Sequence, residues 1–253
     1  MTGEKRPKTG DGGKRTGDED RKKLTAGAHL PFSKLIINSM KKSPKRIFLA
    51  DRQTRKRLTI LAGLLTLLLL YFPINQNVTG GITPDLPIDA FIPLWPIWAI
   101  PYLLSIPWWI AALAWGALKM DYSRWRHFSL CLGLTIVISY LIYIFYPTYV
   151  IRPDITDQGF LSQLVLWIYG SDQAHNALPS GHTYTTLIIS IFWSQWLPKL
   201  KPVWIGIAVL VLLSTLFTKQ HYLLDLLAAA VLVVITYFLS GYLLRKMTST
   251  EDG

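Results

Sequence analysis

The sequence predicts an all-α, polytopic membrane protein: a six-transmembrane-helix bundle behind a basic, largely disordered N-terminal tail. Three observations lead there. Of 253 residues, 51% are hydrophobic, more than a soluble domain of this length usually carries. Those residues come in blocks rather than amphipathic stripes. The formal charge of +11 is uneven, because 17 of the 26 Lys and Arg lie before Leu58.

The tail, residues 1–57, is rich in Lys, Arg, Gly, Thr and Asp and poor in core-forming residues, so its first half reads as disordered. The stretch His29–Lys42 is more apolar and reads as a short interfacial helix. The tail lacks interleaved aromatics and abuts an apolar run. Attraction to anionic lipid is therefore expected, at roughly 1 kcal/mol per basic residue near the surface, and nucleic acid is not. The first apolar run starts too far into the chain for a cleaved signal peptide and reads as a retained signal-anchor.

The membrane domain, residues 58–246, holds six apolar blocks: Leu58–Phe72, Pro93–Leu118, Phe128–Phe145, His182–Leu197, Val203–Phe217 and Leu223–Leu244. Several fall short of the ~20 residues that a perpendicular span needs, so flanking residues or neighbouring helices must make up the difference. Pro96, Pro101 and Pro107 predict kinks in the second block. A seventh run, Phe160–Gly170, is too short to span and reads as interfacial. Residues 247–253 form a short C-terminal tail. The single cysteine, Cys131, excludes an internal disulfide, and no zinc-type Cys/His spacing occurs.

With a cytoplasmic N-terminus, the cytoplasmic connections hold Lys119, Arg124, Arg126, Lys199, Lys201, Arg245 and Lys246, and the opposite face holds only Arg152 and Lys219. This asymmetry predicts cytoplasmic termini in a plasma or cytoplasmic membrane. It also places the Arg152 loop, the Pro179-Ser180-Gly181-His182 stretch and the Lys219–Asp225 stretch together on the extracytoplasmic face.

His221 and Asp225 are four apart, so on one helical face the carboxylate can fix the imidazole tautomer and leave the second ring nitrogen free. That prepares a nucleophile or base, though a self-satisfying ion pair fits the same spacing. Ser180-Gly181-His182 opens a helix, where free N–H groups and the dipole favour an anion. A plain Ser N-cap also fits. Arg152 matches phosphate geometry, and both it and Lys219 also suit the role of headgroup anchors. Together these residues describe attack on a phosphoryl group, with one His attacking phosphorus, cations on the equatorial oxygens and the other His protonating the leaving oxygen.

At this point the chain resembles the superfamily of type 2 phosphatidic acid phosphatases and vanadium haloperoxidases, whose motifs are K-x6-R-P, P-S-G-H and S-R-x5-H-x3-D. The second is complete as Pro179-Ser180-Gly181-His182. The third is present in Ser214, His221 and Asp225, with Thr215 at its arginine position. The first is present in Arg152-Pro153, with Phe145 at its lysine position. The resemblance implies a phosphohistidine at His221 oriented by Asp225, His182 as the acid for the leaving group, and Arg152, Ser180 and Gly181 as phosphate ligands, with Lys219 as a possible substitute cation. It implies no metal and no cofactor. Sphingomyelin and inositol-phosphorylceramide synthases keep the His-His-Asp set with fewer cations, and the stretch Ile92–Tyr102 looks like that branch. The expected activity is hydrolysis of a membrane lipid phosphate, of the phosphatidic acid or polyprenyl diphosphate type. Headgroup phosphotransfer is the runner-up, and a non-catalytic scaffold or transporter comes third.

Overall fold

The computed structural model describes residues 51–251, and the stretch His29–Lys42 lies outside them. The chain forms α1 (Arg52–Leu69), α2 (Tyr71–Asn77), two 3-10 turns (Pro87–Phe91, Pro96–Trp98), α3 (Ala99–Lys119), α4 (Tyr122–Phe145), α5 (Phe160–Ser171), α6 (Gly181–Trp196), a third 3-10 turn (Pro198–Leu200), α7 (Lys201–Phe217) and α8 (Leu223–Glu251). Side chains cap three of these helices. Asp51 accepts from the N–H groups of Gln53 and Thr54, Asp121 from Arg124, and Ser180 from Thr183. Each cap fills orphan donors that apolar surroundings cannot satisfy.

Among the described residues, five helical segments are long and apolar enough to cross a membrane: Arg52–Asn77, Pro96–Lys119, Tyr122–Phe145, Pro198–Phe217 and Leu223–Ser249. The protein is an all-helical integral membrane protein. The expected sixth span, α6, is shorter than these five. α6 has only 16 residues, nine of them buried, and packs against α3, α4, α7 and α8. A helix sheathed by its neighbours has no need to match the bilayer's thickness. The proline expectation is corrected as well. Pro96 starts a 3-10 turn, Pro101 lies in the first turn of α3, and only Pro107 is inside the helix.

Small polar residues are buried between the helices while many large apolar ones face outward. Leu104, Ile110, Leu141, Val231, Ile235 and Phe238 are exposed, while Thr135, Ser139, Thr183, Thr186, Thr236 and Ser240 are buried. Thr135 and Thr236 share a hydroxyl bond of 2.7 Å between α4 and α8, and the Trp109 indole donates to Thr186 Oγ1 at 3.0 Å. Small polar residues at helix contacts, satisfied across the interface, suit association within lipid. The core itself is aromatic, built on Trp125, Phe128, Phe192 and Trp193. At Gly116 an added Cβ would stand 2.7 Å from Trp193 Cη2, so glycine is what lets α3 approach α6.

The helix ends fall into two groups. At one end, Arg57 donates to the carbonyls of Ala117 and Met120 and lies over the Tyr122 ring. A cavity of about 240 Å³ there is lined by Tyr122, Ser123, Arg126, Leu244, Arg245 and Thr248. The start of α1, the α3–α4 joint and the end of α8 therefore meet in one basic region. At the other end, the loop after α4 pairs with the segment before α6, through Val150 N–H to the Ala174 carbonyl and Ala177 N–H to the Thr148 carbonyl.

Candidate active site

The site forms where the loops entering α6 and α8 meet. Ser180 is buried. Its backbone N–H donates to the Asp225 carbonyl at 3.1 Å, while its side chain caps α6. The Tyr143 hydroxyl donates to the neighbouring Pro179 carbonyl at 2.6 Å. An extra Cβ at Gly181 would meet only an ordinary contact, 3.6 Å from the Tyr184 hydroxyl, so packing does not require glycine there.

His221 is held through Nδ1, 3.0 Å from the Ala177 carbonyl and 3.3 Å from Asp225 Oδ2. A carbonyl can only accept, so Nδ1 carries the proton and donates to this pair, leaving Nε2 with its lone pair free. Asp225 is fully buried. Its Oδ2 also accepts from the Tyr222 N–H at 2.8 Å, which fixes the carboxylate independently of the histidine.

The His182 ring centroid lies 6.3 Å from that of His221. It stacks on Tyr102 at 4.1 Å and leans on Trp109 at 4.9 Å, and its Nε2 is buried without a partner. A buried donor or acceptor left unpaired costs about 1–3 kcal/mol, which a ligand at that atom would recover. Tyr102 in turn donates to Asp172 Oδ2, and Tyr71 donates to Asp172 Oδ1 at 2.7 Å. Burial pushes the Asp172 carboxyl up, opposed by the Tyr71 bond and by the charge of Arg152.

Arg152 is committed more fully than its motif suggests. Nη1 donates to the carbonyls of Tyr169 and Asp172, and Nη2 to the Gln173 carbonyl and to Gln220 Oε1 at 2.7 Å. Its guanidinium also lies 4.6 Å from the Tyr169 ring centroid. All four terminal N–H bonds are thus used within the protein, and the remaining donor, Nε, is buried without a partner. Lys219 takes a left-handed backbone, φ 53°, and its ammonium donates to the Asp89 carbonyl at 3.1 Å. Burial lowers its pKa, and the charge of Asp89 opposes that shift. No hydrogen bond joins Lys219 to His182, His221 or Arg152.

The structure therefore gathers His182, His221, Asp225 and Ser180, and ties Arg152 to them through Gln220. Gln220, Tyr102, Trp109 and Asp172 escaped the sequence reading. Only Gln220 left a signal, as the polar residue directly before His221. Phe145 is exposed at the end of α4, whereas Thr215 is buried and its carbonyl accepts from the N–H groups of both Gln220 and His221. Among the described residues, no three His, Cys, Asp or Glu side chains gather in a way that could hold a metal ion.

The arrangement offers a nucleophilic nitrogen with its tautomer set, a second imidazole across a gap, and an arginine whose placement does not await a ligand. The family model of the PAP2 superfamily matches residues 124–248, the stretch that contains each of these groups except Tyr102 and Trp109. No curated protein and no solved structure matches the chain.

Proposed function

We propose that this chain, which belongs to the PAP2 superfamily, hydrolyses membrane lipid phosphates through a phosphohistidine at His221. Superfamily members are phosphatases or phosphotransferases acting on lipid-like phosphates. The observation that carries the finer reading is the Nδ1 anchoring of His221 by the Ala177 carbonyl and Asp225, with His182 across the gap.

In the first step the His221 Nε2 lone pair attacks phosphorus and the bond to the leaving oxygen breaks. That oxygen takes its electron pair and a proton from the His182 imidazolium. The phosphate's own charge holds that proton on His182, whose ring is otherwise enclosed by Tyr102 and Trp109. In the second step water attacks phosphorus and gives a proton back to His182, and the P–N bond breaks toward His221. Arg152 Nε and the N–H groups at the start of α6 hold the phosphoryl oxygens. The positive-inside pattern supports an extracytoplasmic site and cytoplasmic termini.

A second reading has a lipid alcohol in place of water. The neutral residues Phe145 and Thr215 at the family's two other cation positions favour it. Phosphatidic acid and polyprenyl diphosphate vesicles, assayed by mass spectrometry with and without a lipid alcohol, separate the two readings. Hydrolysis without added metal is expected, and a chelator should leave it unchanged. His221→Ala should lower turnover by about 10⁴-fold or more. Full turnover in that variant refutes the mechanism.

A further inference from the structure

The phosphoryl donors open to such a site differ in charge. A lipid monoester or terminal phosphate brings a dianion, whereas a phosphodiester brings a monoanion. The cation supply in this site is small. Arg152 retains one free N–H, Lys219 is bonded to the Asp89 carbonyl, and positions 145 and 215 hold Phe and Thr.

Gln220 occupies the gap between Arg152 and the nucleophile. It directly precedes His221, and the two share the Thr215 carbonyl as acceptor for their backbone N–H groups. Its side chain is 5% exposed. Oε1 accepts from Arg152 Nη2, so the amide nitrogen on the same carboxamide lies beside the guanidinium, buried and without a partner. Three donors around this cluster, Gln220 Nε2, Arg152 Nε and His182 Nε2, are thus buried and unpaired. Together they can take three oxygens while supplying one permanent charge. A second negative charge on the phosphoryl group has only the His182 imidazolium to balance it, and that proton leaves with the departing oxygen, so the dianion is the expensive case for this buried site.

We propose that Gln220 is the specificity residue of this site. It positions Arg152 through Oε1 and offers Nε2 to a phosphoryl oxygen, so the site takes a singly charged phosphodiester in preference to a doubly charged monoester. This rests on the phosphoryl-transfer reading above and narrows the class of its phosphoryl donor.

The test uses the full chain in detergent with dodecyl p-nitrophenyl phosphate as the turnover reporter. Dodecyl methyl phosphate and dodecyl phosphate serve as competitive inhibitors that share an alkyl chain and differ in charge. The wild type should bind the methyl diester more tightly. Gln220→Lys should move the ratio of the two inhibition constants by about tenfold toward the monoester. Gln220→Glu, matched in shape, should weaken both inhibitors and raise KM more than it lowers kcat. It also serves if Gln220→Lys does not fold, as checked by thermal melting. Turnover with a ratio that Gln220→Lys leaves unmoved refutes the role of Gln220 alone, as does a wild type that binds dodecyl phosphate more tightly. A protein that neither cleaves the reporter nor forms an acid-labile phosphohistidine refutes the reading of the site and this inference with it.

Discussion

Arg57 at the basic end is fastened to two carbonyls, but Arg124, Arg126 and Arg245 beside it contrast with Arg152 at the other end. At the basic end, Arg126 and Arg245 line an open cavity, and Arg124 pairs with Asp121 in an exposed bridge at 2.7 Å. Such pairs contribute about 0–1 kcal/mol, and the groups can rearrange at little cost. At the other end Arg152 is fastened by four N–H bonds to fixed acceptors. The first arrangement suits attraction to a charged surface. The second suits a reaction, in which a misplaced charge loses most of its value.

The largest effect expected from breaking this contrast lies at Asp225. Asp225→Asn preserves size but offers an amide where His221 Nδ1 needs an acceptor. Phosphate release should fall by about 10²–10⁴-fold while the fold persists. Phosphohistidine trapping would show the loss in the first step, and unchanged trapping kinetics would refute the orienting role. Next comes Arg152→Lys, which keeps the charge but cannot reach four acceptors in a plane. A loss of about 10–100-fold in kcat/KM is expected, and parity with the wild type would show that the cradle is dispensable. Gly116→Ala sits between the two regions. Its Cβ presses on Trp193 and should destabilise the protein by about 1–3 kcal/mol, read as a lower thermal midpoint with turnover per folded molecule unchanged. The smallest effect belongs to Arg245→Ala at the basic end, where stability should stay within about 0.5 kcal/mol and turnover within experimental error.

Legibility in the sequence followed the same divide. The helical class and the Pro179–His182 and His221–Asp225 elements were readable from composition or short spacing, although His221 precedes α8, which starts at Leu223, rather than sharing a helical face with Asp225. α6 is shorter than hydropathy alone suggests for a span, because hydropathy scores a segment without the neighbours that sheath it. Gln220 and Asp172 were missed for a related reason. The partners of Gln220 include Arg152, 68 residues away, and those of Asp172 include Tyr71, 101 residues away. No local pattern encodes such pairings. The full commitment of Arg152 was equally invisible, since its acceptors are mostly backbone carbonyls, which every residue possesses.

The bond from the Ser180 N–H to the Asp225 carbonyl has a mechanical meaning as well. Bilayers differ in thickness from one membrane to another, and spanning helices answer by tilting. α8 is long and apolar enough to cross, and a change in its tilt would shear its start against the start of the shorter α6. The two histidines ride on those two starts. A backbone bond between them ties the two starts together, so the reacting nitrogens would keep their separation under such a shear.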